Sequence, residues 1–123
     1  MTLAALTLFA LLAQRPASRA VTLVLPHALR EDETATLLVT VGAIPRGATI
    51  DVTTPAGRLL GTISPYGIRA GRAAGTYTVP LPADAISGRR VSLLLSLHAH
   101  GEQRAPTEKE VKGVRAVVRR AKG

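Results

Sequence analysis

The sequence predicts an all-β fold, a seven-stranded antiparallel sandwich preceded by an N-terminal signal helix. Three observations carry that expectation. Residues 89–100 place Val91, Leu93, Leu95 and Leu97 on one side of an extended chain. Ser92, Ser96 and His98, with Leu94 among them, fall on the other side, which is the period-2 pattern of a central strand with one face in a core. Read as a helix, the same run has no polar face. Turn signals recur about every 8–12 residues, with no helix-period segment between them. The chain is 46% hydrophobic yet only 2% aromatic, so its core must be built from Val, Leu, Ile and Ala. Aliphatic and β-branched side chains suit the layer between stacked sheets.

A chain of 123 residues makes one domain. Residues 2–13 form an apolar run too short to span a bilayer, which needs about 20 residues. The run fits the apolar core of a secretory signal. Pro16 breaks it, and Ser18 and Ala20 stand at the small-residue positions before a cut at Val21. No Lys or Arg precedes the run, so an uncleaved anchor or a buried first helix are the other readings. The expected division is a signal over 1–20, a sandwich domain over 21–119 and a basic end over 120–123.

The first strand, 21–25, stops at Pro26. Residues 34–44 follow a polar turn, with Leu37, Val39 and Val41 facing one way and Thr36, Leu38 and Thr40 the other. The third strand, 49–54, turns Ile50 and Val52 inward. Pro55 and Gly57 supply a turn, Pro presetting φ and Gly accepting positive φ, and 59–64 returns as the fourth strand. Residues 65–75 form the main loop. Residues 76–81 are the fifth strand, with Tyr77, Val79 and Leu81 toward the core and Pro80 marking an edge. A turn over 82–88 leads into the central strand, and a polar loop over 101–107 leaves it. Thr107 and Glu110 have capping-box spacing, and Val111, Val114 and Val118 have helical spacing. Against a helix, Val114, Ala116 and Val118 alternate with Arg115 and Arg119, and Gly113 disfavours a helix interior. The expectation is a helical turn at 107–110 and a closing strand at 112–119.

The stretch Ile50-Asp51-Val52-Thr53-Thr54-Pro55-Ala56-Gly57-Arg58-Leu59-Leu60-Gly61, followed by Ala74-Gly75-Thr76-Tyr77-Thr78-Val79, resembles the middle strands of bacterial immunoglobulin-like and fibronectin-III-like domains. The resemblance implies an all-β module and brings no activity with it. The Cys…Trp…Cys hallmark of immunoglobulin domains is missing, since the chain has neither residue.

The absence of cysteine removes a disulfide framework, a thiolate metal site and a cysteine nucleophile. The formal charge of +8 favours acidic partners or anionic envelope surfaces. Nucleic acid is not the expected partner, because the basic clusters around Arg69, Arg89 and Lys109 lack aromatic stacking platforms. The same poverty of aromatics argues against sugar-stacking platforms. His98 and His100 lie two apart, so on a strand both project from one face, a ligand geometry for Cu or Zn that His27 would complete. No serine has a nucleophile-elbow context, and the carboxylates fall mostly in turns. The sequence therefore points to a non-enzymatic protein, periplasmic or secreted, acting as an accessory module for another envelope or secreted protein. With its signal cut, it would not be an integral membrane protein. Tyr66, Arg69 and Arg72 in the main loop are the expected partner-binding residues, since loops on a rigid sandwich commonly carry recognition. Metal binding through His98, His100 and His27, and attachment to anionic surfaces, are the alternatives.

Overall fold

The structure, a computed structural model, describes residues 17–65 and 75–120. Of the signal expected over 1–20, residues 1–16 lie outside the described residues, as does the end over 121–123; Arg19 and Ala20 already belong to the first strand. In chain order the strands are β1 (Arg19–Val24), β2 (Glu33–Val41), β3 (Thr49–Thr53), β4 (Leu59–Ile63), β5 (Gly75–Leu81), β6 (Ile86–Ser87), β7 (Arg90–Ala99), β8 (Glu102–Arg104) and β9 (Val111–Arg120). A 3-10 turn, Ala83–Ala85, precedes β6. The fold is all-β, with two antiparallel sheets.

The first sheet runs β1-β7-β3-β4, and the second runs β5-β2-β9. The strand expected to be central is central. β1 pairs Arg90–Leu95 of β7 and β3 pairs Leu94–His98, so the two lie on opposite edges. β6 shares Arg90 and Val91 with β1 and therefore lies on the β3 edge, while β8 shares Leu97 and His98 with β3 and lies on the β1 edge. β7 thus holds four partners. Its inward row of Val91, Leu93, Leu95 and Leu97 is fully buried. Ile50 and Val52 of β3 and Ile63 of β4 extend that layer. Facing it are Leu37, Val39 and Val41 of β2, Val79 and Leu81 of β5, and Val111. Tyr77 is half-buried at the margin of this aliphatic core. Where β4 crosses β5 the sheets come close: a Cβ on Gly61 would lie 2.9 Å from Val79 Cγ1.

The tail is a helical turn and then a strand. The Glu110 and Val111 N–H groups both donate to the Thr107 carbonyl, at 3.1 and 2.9 Å, and β9 begins at once. Thr40 pairs with Gly113 and Val41 with Val111, leaving Lys112 as an extra residue in a bulge. A bulge shifts the alternation by one. Val111 therefore faces the core from one phase, and Val114, Ala116 and Val118 from the other. The helical spacing of the valines is the signature of that bulge.

Two expected loops contain strand. The turn over 82–88 holds the 3-10 turn and β6. The loop over 101–107 holds β8, because His100 and Gly101 both adopt positive φ (52° and 77°) and reverse the chain within two residues. A His at the first turn position is not the usual Asn or Asp of such a hairpin, so the reversal was hidden.

The sheets share their ends. Ile50 pairs with both Leu97 and Ile63, and Val41 pairs with both Gly75 and Val111. The Arg19 guanidinium donates to the Val111 carbonyl at 3.3 Å, joining the start of β1 to the start of β9. One end of the molecule therefore gathers residues 42–48, the His100–Gly101 turn, residues 105–110, and the points where β4 stops and β5 starts. The other end holds residues 25–32, 54–58 and 82–89.

Candidate functional site

His98 projects from the outer face of β7 at the end where the loops gather. Its Nε2 is 3.0 Å from Asp51 Oδ2, which is ion-pair range when the imidazole is protonated, but the contact lacks hydrogen-bond geometry. Asp51 pairs directly with Ser96 on one side and Thr62 on the other, and the Thr62 hydroxyl donates to Asp51 Oδ1 at 2.8 Å. Ser96 is buried, and Gln103 Nε2 donates to its hydroxyl at 3.4 Å. Strand alternation alone brings these side chains together, since all five come from outward positions of paired strands. The result is a flat polar mosaic whose carboxylate is already engaged.

His100 lies beyond β7, in the tight turn. His27 is two residues past Leu25, whose N–H donates to the Arg89 carbonyl, so it stands at the far end of β7 from His98. At about 3.3 Å per residue, that separation is about 30 Å. His27 Nε2 instead contacts both carboxylate oxygens of Glu33, at 2.9 and 3.0 Å. The Glu33 carboxylate also accepts the Arg30 N–H, the main reason its pKa lies below the ordinary value, with the His27 contact adding to it. Among the described residues, no group of three or more His, Cys, Asp or Glu side chains is placed to hold a metal ion.

The strongest electrostatic feature at the loop end involves none of the histidines. Arg104, opposite Leu97 on β8, donates to both oxygens of Glu110 at 2.6 and 2.7 Å. The Thr107 N–H donates to Glu110 Oε1 at 2.9 Å, and the Glu110 N–H returns a bond to the Thr107 hydroxyl at 3.3 Å. The Thr107/Glu110 spacing thus forms its reciprocal pair on one turn that never becomes a helix. The Arg104 bonds hold the Glu110 carboxyl down at about 2, against burial, which opposes the charge. A side chain at Gly42 would run into the Lys109 carbonyl, so this corner closes directly onto the end of β2. The capping-box spacing is visible in the sequence; Arg104 is not, because its partner is set by the β7–β8 reversal.

Tyr66, Arg69 and Arg72 lie outside the described residues. The segment that bears them leaves β4 at Ile63 and enters β5 at Gly75, both at the end where the Arg104–Glu110 corner lies. No helix among the described residues is long and apolar enough to cross a membrane. These features define an all-β protein of two antiparallel sheets, compatible with a β-sandwich. Compared with known protein families, with characterised proteins and with solved structures, the chain matches none.

Proposed function

We propose that the chain is a secreted or periplasmic, non-enzymatic module that binds another envelope protein through its loop end. One observation carries the reading: the least exposed carboxylates of that end are already held by neighbouring polar groups. Asp51 is committed to Thr62, and Glu110 to Arg104 and Thr107. Such an end offers a shaped, preset surface rather than free catalytic groups. Export is supported by the apolar run over 2–13 followed by Pro16. An immunoglobulin-like core is supported by two strand pairings of that class, β2 with β5 and β3 with β7, which are second with fifth and third with sixth when the short β6 is left out of the order. The first and last strands depart from that plan, each pairing in the opposite sheet.

The test is a cross-linked pull-down from the envelope fraction of the source cell, run at low and high salt. Recovery of one protein at fixed stoichiometry, surviving high salt and abolished in a Tyr66→Ala/Arg69→Ala/Arg72→Ala variant, is the expected result. Undiminished recovery with that variant would move the interface elsewhere. Recovery of only salt-sensitive, heterogeneous acidic material would reject a specific partner.

A further inference from the structure

At the end opposite the loops, the first sheet has a step. On one edge of β7, β3 stops at Thr53, opposite Leu94, and β6 begins only opposite Val91. Between them the chain swings away through a tight turn. The Gly57 N–H donates to the Thr54 carbonyl at 2.9 Å, and the Arg58 N–H to the Thr54 hydroxyl at 3.1 Å. Gly57 takes a φ of 94°, which only glycine accepts without strain. The step leaves an open cleft of about 780 Å³. Thr54 and Arg58 form one wall, Asp84 and Ser87 the other, and Arg90 and Ser92 rise from β7 as the floor. That volume lies within the range of small-molecule sites, about 300–1,000 Å³.

The chemistry of the lining is specific. Arg58 reaches across the mouth to Asp84 through one contact of 2.8 Å. Both side chains are well exposed, so the bridge opens at small cost. The Arg90 guanidinium is exposed and makes no hydrogen bond or ion pair with any described residue. A guanidinium with no carboxylate presents a planar fork of donors that matches an oxyanion. Ser87 and Ser92 add exposed hydroxyls, and the Thr54 hydroxyl, which accepts from Arg58, keeps its own proton to donate. The two arginines outnumber the single carboxylate. Among the described residues no aromatic side chain lines the cleft, so a neutral ring finds no stacking face there and charge must provide the affinity.

We propose that this cleft binds an oxyanion-bearing polyol, a phosphorylated or uronic sugar unit, with Arg90 as the anion clamp and the hydroxyls of Ser87, Ser92 and Thr54 contacting the ring hydroxyls. Asp84 holds Arg58 in reserve and competes with the ligand for it. This site is independent of the partner surface at the other end. It also differs from general attraction to anionic surfaces, because it requires the hydroxyl-bearing ring as well as the charge.

The experiment is a calorimetric and NMR titration of the full chain with glucose 6-phosphate, glucuronate, glucose, inorganic phosphate and an acidic peptide. One or both acidic sugars should bind with a Kd of about 1 mM or tighter, shifting the backbone resonances of Arg90 and Ser92. Which of the two binds distinguishes phosphate from carboxylate as the source of charge. Arg90→Ala should weaken binding about tenfold or more with an unchanged melting temperature. Asp84→Asn should tighten it by releasing Arg58, the opposite sign to the arginine variant. Binding of inorganic phosphate as tightly as the sugar phosphate would mean an adventitious ion only. Binding of the peptide in preference to both sugars, binding of glucose itself, indifference to Arg90→Ala, or no acidic-sugar binding by about 10 mM would each overturn the proposal.

Discussion

Arg104 meets Glu110 through two contacts, at 2.6 and 2.7 Å, with the carboxylate side chain only 11% exposed. Arg58 meets Asp84 through one contact at 2.8 Å, with side chains 52% and 70% exposed. Both are arginine–carboxylate pairs, and the distances are nearly the same. What differs is water. Around Glu110, burial raises the cost of charge, and two arginine bonds and a backbone N–H have to offset it. Around Asp84, solvent already satisfies both partners, so the contact contributes little and is easily exchanged. The first pair belongs to the architecture of the loop end; the second is free to belong to a ligand site.

The largest expected effect follows from breaking the first pair. Glu110→Ala leaves the half-buried Arg104 guanidinium with the Ala105 carbonyl but no counter-charge, and frees the Thr107 N–H. It should cost about 3 kcal/mol of stability, measured by urea denaturation. A loss below about 1 kcal/mol would show that the corner is as solvent-like as the Arg58 pair.

Acid titration sharpens the same point. The folded Glu110 carboxyl is held at about 2, below its ordinary 4.5. A depressed folded value means that the carboxylate's contribution is fully present above the unfolded pKa and is lost as pH falls from about 4.5 through about 2. The expected loss is of order 3 kcal/mol. The direction at Glu33 is the same, so it adds to the acid sensitivity. Denaturation midpoints of a Glu110→Gln variant should depend much less on pH across that window; an equal dependence would assign the acid effect elsewhere.

A smaller effect concerns the start of β1. A chain beginning at Val21 lacks Arg19 and Ala20, which pair with Leu95 and Leu94, and lacks the Arg19 bonds to the Thr107 and Val111 carbonyls. It should be less stable than a chain beginning at Ala17 by about 1–3 kcal/mol. Equal thermal midpoints would show that β1 holds through its later residues alone. Arg58→Ala, by contrast, should change stability by less than about 0.5 kcal/mol. A larger loss would make that pair structural and remove the contrast. Smallest of all, about 100 μM zinc should shift the melting midpoint by less than about 1 °C, since His27 and His98 stand at opposite ends of β7. A larger shift that disappears in His98→Ala would restore the histidines as ligands.

Much of the fold was legible because a strand writes its faces into alternate residues. Val91, Leu93, Leu95 and Leu97 announced the central strand. Leu37, Val39 and Val41 announced β2, and Pro55 with Gly57 announced the turn into β4. The two short strands were not legible, because β6 and β8 are too brief for a periodic pattern and exist only by pairing with β7. The loop-end corner was half legible: Thr107 and Glu110 carry a local spacing, whereas Arg104 acquires its role from the chain reversal at His100 and Gly101. The cleft was not legible as a site. Arg58, Asp84 and Arg90 are separate in sequence and meet only because β3 stops short of β6.

By itself, then, the sequence determined an all-β chain with an aliphatic core, which residues face that core, and where most turns fall. These depend on the nearest few side chains and on local φ preferences. Only the tertiary structure decided which strand joins which sheet, that His27 and His98 lie apart, and that one arginine pair is buried while another borders an open cleft. Those outcomes depend on burial and on pairing between residues far apart in the chain, and no local spacing encodes either.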